Sequence, residues 1–188
     1  MKTKKWIVLG VVALIIVILI SSIIGSYNGL VSKNETVDEK YAVIQSQLQR
    51  RADLVPNLVE TVKGYAAHEK EVFAAVSDAR AKLSAASNMK ELSEAQENLT
   101  VALNNLLAVA EAYPELKANE NFLNLQEQLE GTENRIAVAR NDYNAAAKTY
   151  NSAIKKFPSV IIASIFGFDS VDYFRAEAGA ETAPEVIF

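Results

Sequence analysis

Residues able to do chemistry are sparse in this 188-residue chain. Its one histidine, His68, lies in Ala67-His68-Glu69-Lys70-Glu71 and lacks the second histidine four residues on that would put two ligands on one helical face. There is no cysteine, which excludes disulfides, thiolate nucleophiles, cysteine zinc sites and a lipid-modified N-terminal cysteine. The seven glycines are scattered and form no phosphate loop, and no serine sits in a strand–turn–helix setting. The expectation is a protein with no enzymatic activity, cofactor or metal. A net charge of −4 without a basic stripe also argues against nucleic acid as a partner. The polar residues that stand out instead interrupt apolar rows: Asn34, Glu69 and Gln96. Counted from a turn near Ala52, Asn34 and Glu69 lie 18 and 17 residues away, so they should meet at one height. A polar layer there would fix register. Arg50, Arg51, Arg135 and Arg140 are possible partners for its carboxylate, although most should be solvated surface.

The elements that must position these residues are helices. Asp53 suits an N-cap and Pro56 the first turn after it, which predicts a helix over about Leu54–Ala86. Apolar residues at 55, 58, 62, 65, 72, 76, 79 and 83 recur three and four apart, with Glu69 at the seam position between 65 and 72, as in a bundle seam. Ser87-Asn88 offers a turn and cap. A third helix runs through Leu92, Leu99, Leu103, Leu106, Ala110 and Tyr113, and Pro114 marks its end. In a fourth, Phe122, Leu129, Ile136, Tyr143, Tyr150 and Phe157 fall seven apart, the spacing of a coiled coil. The first soluble helix carries Tyr27, Leu30, Val37, Tyr41, Ile44 and Leu48 on one face, with Gly25 and Gly29 as places for a bend. Lengths conflict: the second and fourth helices would reach about 50 and 57 Å, against about 42 Å for Gly25–Arg51. One must be broken, or the bundle staggered.

Before the bundle, Met1–Lys5 is a basic lead-in to an uncharged stretch from Trp6 to Ile24. At 1.5 Å per residue it covers about 28 Å, enough to cross a bilayer core. A cleavable signal peptide would have a shorter apolar region and a small-x-small site, a pattern Leu19 and Ile20 fit poorly. The lysines ahead of the span place the N-terminus in the cytoplasm and everything after Ile24 outside.

Gln49-Arg50-Arg51-Ala52-Asp53-Leu54-Val55-Pro56-Asn57-Leu58-Val59 and Lys63-Gly64-Tyr65 resemble the signature of the bacterial LemA family. So do Tyr27-Asn28-Gly29-Leu30-Val31, Glu111-Ala112-Tyr113-Pro114, Glu130-Gly131-Thr132-Glu133-Asn134-Arg135-Ile136, Asp142-Tyr143-Asn144 and Tyr150-Asn151. These matches cover most of residues 27–174. The resemblance implies a membrane-anchored helical protein without a defined chemistry, and a magnetosome-related branch of the family suggests a membrane-shaping role.

The fold expected is all-α: an N-terminal transmembrane helix (6–24), then an antiparallel up-down four-helix bundle with long helices (25–157). Residues 158–174 form an apolar foot or bundle cap, and 175–188 a flexible tail. The fourth helix of such a bundle returns to the membrane. Lys155 and Lys156 should then face headgroups, with Phe166 and Phe168 embedded, unless the segment caps the bundle as core. The tail ends in Pro184-Glu185-Val186-Ile187-Phe188, where Pro184, Val186 and Phe188 suit strand addition to a partner. The reading is a non-enzymatic interaction or scaffolding module at the cell envelope; the alternative is a lipid-interacting, self-assembling protein. Partners expected are the membrane, an unidentified envelope protein and a possible homo-oligomer.

Overall fold

The computed structural model describes residues 2–174, and side chains from Lys5 onward except Val8. The described residues are helical apart from turns and a short irregular end. Helix α1 spans Lys2–Lys63, α2 Lys70–Ala85, α3 Met89–Glu111, α4 Pro114–Lys117, α5 Glu120–Lys155 and α6 Ser159–Phe166. They fall into two compact units, one made of the residues up to Glu39 with Ala145–Val171, the other of Lys40–Asn144 with the described residues from Asp172.

The second unit is the four-helix bundle. Its core is aliphatic, as low aromatic content requires: Leu48, Val55, Leu58 and Val62 from α1, Val76 and Leu83 from α2, Leu99 and Leu106 from α3, Leu129 and Ile136 from α5. Successive helices run antiparallel. Arg80 of α2 reaches Ala52 of α1, and Gln96 of α3 reaches Glu133 of α5. The α2–α3 turn is capped as the sequence predicts. Asn88 accepts from the Glu91 N–H, and the Glu91 carboxylate accepts from the Ser87 N–H and hydroxyl. The Ser87 backbone N–H, aided by that hydroxyl, holds the Glu91 carboxyl below its ordinary range.

The expected start of a helix at Asp53 is corrected. Here α1 continues through Asp53 and Pro56 to Lys63, and the turn occupies residues 64–69. Asp53 caps nothing and accepts from Gln49 Nε2 at 2.7 Å. A proline inside a helix withholds the N–H that would bond the carbonyl four residues back, here that of Ala52. Arg80 Nε donates to the Ala52 carbonyl at 2.9 Å in its place. A side chain of the neighbouring helix thus fills the gap that sequence logic read as a helix start. The break at 64–69 also resolves the length conflict, since α2 is only 16 residues long.

Moving the turn dissolves the proposed Asn34–Glu69 layer. Asn34 is mid-α1 and bonds Asp38 one turn on, whereas Glu69 is the residue before α2. The polar contacts inside the bundle lie elsewhere. Arg51, 5% exposed, pairs with Glu133 and donates to Thr100 Oγ1 at 3.1 Å. Buried Gln96 donates to Thr100 and Glu133 beside it. Arg50 and Arg135 are exposed, as expected of surface arginines, but Arg51 is not.

In the first unit, α5 carries Tyr150 and Ile154 into the core, and Leu30 and Val37 come from α1. Burial pushes the Tyr150 phenol above its ordinary pKa, and the charges of Asp169 and Asp38 add to the effect. Phe157, expected to continue the α5 seam, lies past the helix end and is 80% exposed. After Gly167, whose φ of 73° closes α6 in the left-handed region, the chain runs without regular secondary structure to Phe174.

Two mutational cycles test these contacts by thermal unfolding of the detergent-solubilised protein. Arg80→Met should cost about 1–3 kcal/mol by stranding the Ala52 carbonyl. In a Pro56→Ala background, where residue 56 regains its N–H, most of that cost should vanish; an equal cost in both backgrounds would reject the substitution. Glu133→Gln should cost about 1–3 kcal/mol by removing the Glu133 charge from the Arg51 guanidinium, a range kept low because Glu133 is part-exposed. Combining Arg51→Met with Glu133→Met should recover most of the loss.

Candidate functional site

The features that face outward with a consistent chemistry lie in the first unit. The N-terminal part of α1 holds an 18-residue window apolar enough to cross a membrane, none of it buried. Trp6 and Tyr27 flank the uncharged stretch, both exposed, in the positions that interfacial aromatics favour. No break separates that stretch from the bundle helix. Gly25 and Gly29 sit within continuous helix, so the bend they allowed is not taken.

Helix α6 lies against this exit. Phe166 and Phe168 pack edge-to-face on Tyr27, with ring centroids 4.9 and 5.6 Å apart. Ile162 and Ala163 face inward and are buried. Val160, Ile161, Ile165 and Phe166 are exposed, Ile165 by 69% and Phe166 by 54%, and Phe157 joins them. Eight residues this apolar would ordinarily bury all their large side chains, so the outward face is the anomaly. Lys155 and Lys156, named in the sequence as headgroup-facing, are exposed at the end of α5. The structure therefore brings Phe166 and Phe168 together on Tyr27, with Phe166 exposed and Phe168 half-buried.

Beside α6, α1 and α5 frame an open cleft of about 510 Å³ lined by Lys33, Lys148, Thr149, Ser152, Ala153, Lys156, Phe157 and Ser159. A smaller cleft of about 110 Å³ in the bundle is lined by Gln45, Gln49, Ser84 and apolar neighbours.

Two asparagines escaped sequence reasoning. Asn151 donates to the Val171 carbonyl at 2.8 Å and accepts from the Val171 N–H at 2.9 Å. Asn144 does the same with Phe174, at 2.9 Å each way. Tyr143 adds a hydroxyl bond to the Asp172 carbonyl at 2.7 Å. Each amide pairs with the extended backbone as a neighbouring strand would. The signal was present in Asp142-Tyr143-Asn144 and Tyr150-Asn151, but it carried no hint of what these side chains hold.

His68 lies exposed in the α1–α2 turn, and among the described residues no group of three or more metal-binding side chains converges. Pro184, Val186 and Phe188 lie outside the described residues.

Comparison with known proteins accords with this architecture. The chain is 30% identical over 193 residues to the magnetosome protein MamQ 2 of Paramagnetospirillum magneticum, covering 89% of this chain and 71% of that protein. It is 29% identical over 200 residues to the magnetosome protein MamQ of Magnetospirillum gryphiswaldense, covering 93% and 74%. It is 25% identical over 157 residues to protein LemA of Metamycoplasma hominis, covering 81% and 70%. With residues 40–188 matching the LemA family, the chain belongs to that family.

Proposed function

We propose that the chain is a membrane-anchored, extracytoplasmic helical bundle that works without catalysis as an interaction or scaffolding module at the cell envelope. The observation that carries this reading is the continuity of α1, which joins an exposed apolar span to the buried seam of the bundle in one 62-residue helix. The lysines before Trp6 favour a cytoplasmic N-terminus. The C-terminal segment Pro184–Phe188 is the proposed ligand for an envelope partner.

A second reading, membrane shaping by a lipid-contacting, self-assembling protein, is favoured by the exposed face of α6 at the exit of α1. The magnetosome relatives point the same way.

Three measurements test these readings. A tag after Phe188 should be digested by protease added to intact spheroplasts, and protection of the tag would reverse the orientation. In a crosslinked pull-down from native membranes, the full chain should capture an envelope protein that is lost when Pro184–Phe188 are removed. Recovery of only its own copies by both versions would favour self-assembly. Phe166→Asp in a chain lacking the anchor should leave partner capture unaltered under the scaffold reading and abolish membrane association under the lipid reading.

A further inference from the structure

The cleft beside α6 has a chemistry that its role in packing does not require. Lys148 and Ser152 lie one turn apart on α5 with Thr149 and Ala153 beside them, Lys156 and Phe157 follow just past its end, and Lys33 lines the same cleft from α1. Three cations line it and no carboxylate does. Lys156, just past the C-terminus of α5, complements the helix dipole, but Lys33 and Lys148 lie more than a turn from any helix end, where the dipole gives no reason for a cation. The Thr149 hydroxyl proton is committed to the Ala145 carbonyl at 2.8 Å. Ser152 and Ser159 are the hydroxyl donors left to face a ligand. Phe157 and the outward apolar face of α6 continue from the cleft towards Tyr27 and the apolar span. A ligand that fits is anionic at one end and apolar at the other.

We propose that this cleft binds the phosphate headgroup of an anionic phospholipid, whose acyl chains lie along Phe157 and the exposed face of α6. The proposal rests on the reading of α1 as a bilayer anchor. Height agrees with it. Lys33 lies about 14 Å along the axis from Ile24, against a headgroup layer of about 5–8 Å. Side chains on a helix lean towards its N-terminus, so Lys33 leans back towards the bilayer and its long stem spans the difference. Each lysine near an anionic surface contributes about fivefold in affinity, so the three together contribute on the order of a hundredfold.

The test uses the full chain in nanodiscs of phosphatidylcholine with a minor fraction of phosphatidylglycerol. Native mass spectrometry after transfer to mild detergent counts the lipids retained. The wild type should keep phosphatidylglycerol in preference to phosphatidylcholine. Lys33→Gln/Lys148→Gln/Lys156→Gln should lose that preference on the order of a hundredfold. The control Lys70→Gln/Lys82→Gln/Lys90→Gln, three exposed lysines of the bundle, should keep it. Lys148→Glu alone, at one exposed position, should weaken retention by more than fivefold. Equal retention of both lipids, or an equal loss in the control, would overturn the site. Full displacement by soluble glycerol phosphate would reassign it to a free phosphate ligand and overturn the lipid assignment. Failure of the wild type to enter nanodiscs would sink the anchor reading and this site with it, whereas entry without lipid preference would sink the site alone.

Discussion

A proline in the interior of a helix normally ends it, because one carbonyl loses its donor and the ring crowds the preceding turn. In this protein the Arg80 guanidinium donates to the carbonyl that Pro56 leaves open, that of Ala52, and α1 continues to Lys63. Much of the bundle follows from that contact. It ties α2 to α1 one residue from the point where Arg51 meets Glu133 and Thr100. Two adjacent residues of α1 thereby engage α2, α3 and α5. The run Arg51-Ala52-Asp53, expected to end one helix and begin another, instead fastens an unbroken helix to its three neighbours.

The same contact explains what could be read from the chain and what could not. Helix class, the Ser87-Asn88 turn, the end of α3 near Pro114 and the Phe122–Tyr150 seam were legible, because each depends on residues close in sequence. The α1–α2 turn was not. Apolar spacing runs through Val55, Leu58 and Val62 and resumes at Phe73, Val76 and Ala79, so periodicity alone does not mark the break. Pro56 and Asp53 imitate a helix start, and only a donor from 28 residues away shows otherwise. Gly64, the first residue past α1, is the local signal that coincides with the break. The Asn34–Glu69 layer failed for the same reason, since it was counted from the misplaced turn. A buried polar layer does exist, built on Arg51 rather than on a seam carboxylate.

At the other end of the chain, the segment after Pro158 was legible as apolar, but which of its faces is buried was not. Its composition permits either a buried cap or an exposed foot. Packing shows the faces: Ile162 and Ala163 turn inward, Phe166 and Phe168 pack edge-to-face on Tyr27, and Ile161 and Ile165 are exposed. The lysine-lined cleft is a product of two helices 115 residues apart at Lys33 and Lys148, and no local pattern announces it.

The paired bonds of Asn144 and Asn151 restrict what substitutions the chain can accept over time. An amide presents a donor and an acceptor side by side, matching the N–H and carbonyl of one extended residue. Aspartate has nearly the same shape but offers only acceptors, and would set a charge against the carbonyls of Val171 and Phe174. Spontaneous deamidation at either position would make that exchange without any change in the gene. Shape alone cannot preserve these contacts, and at both positions the closest isostere loses the donor half of the pair.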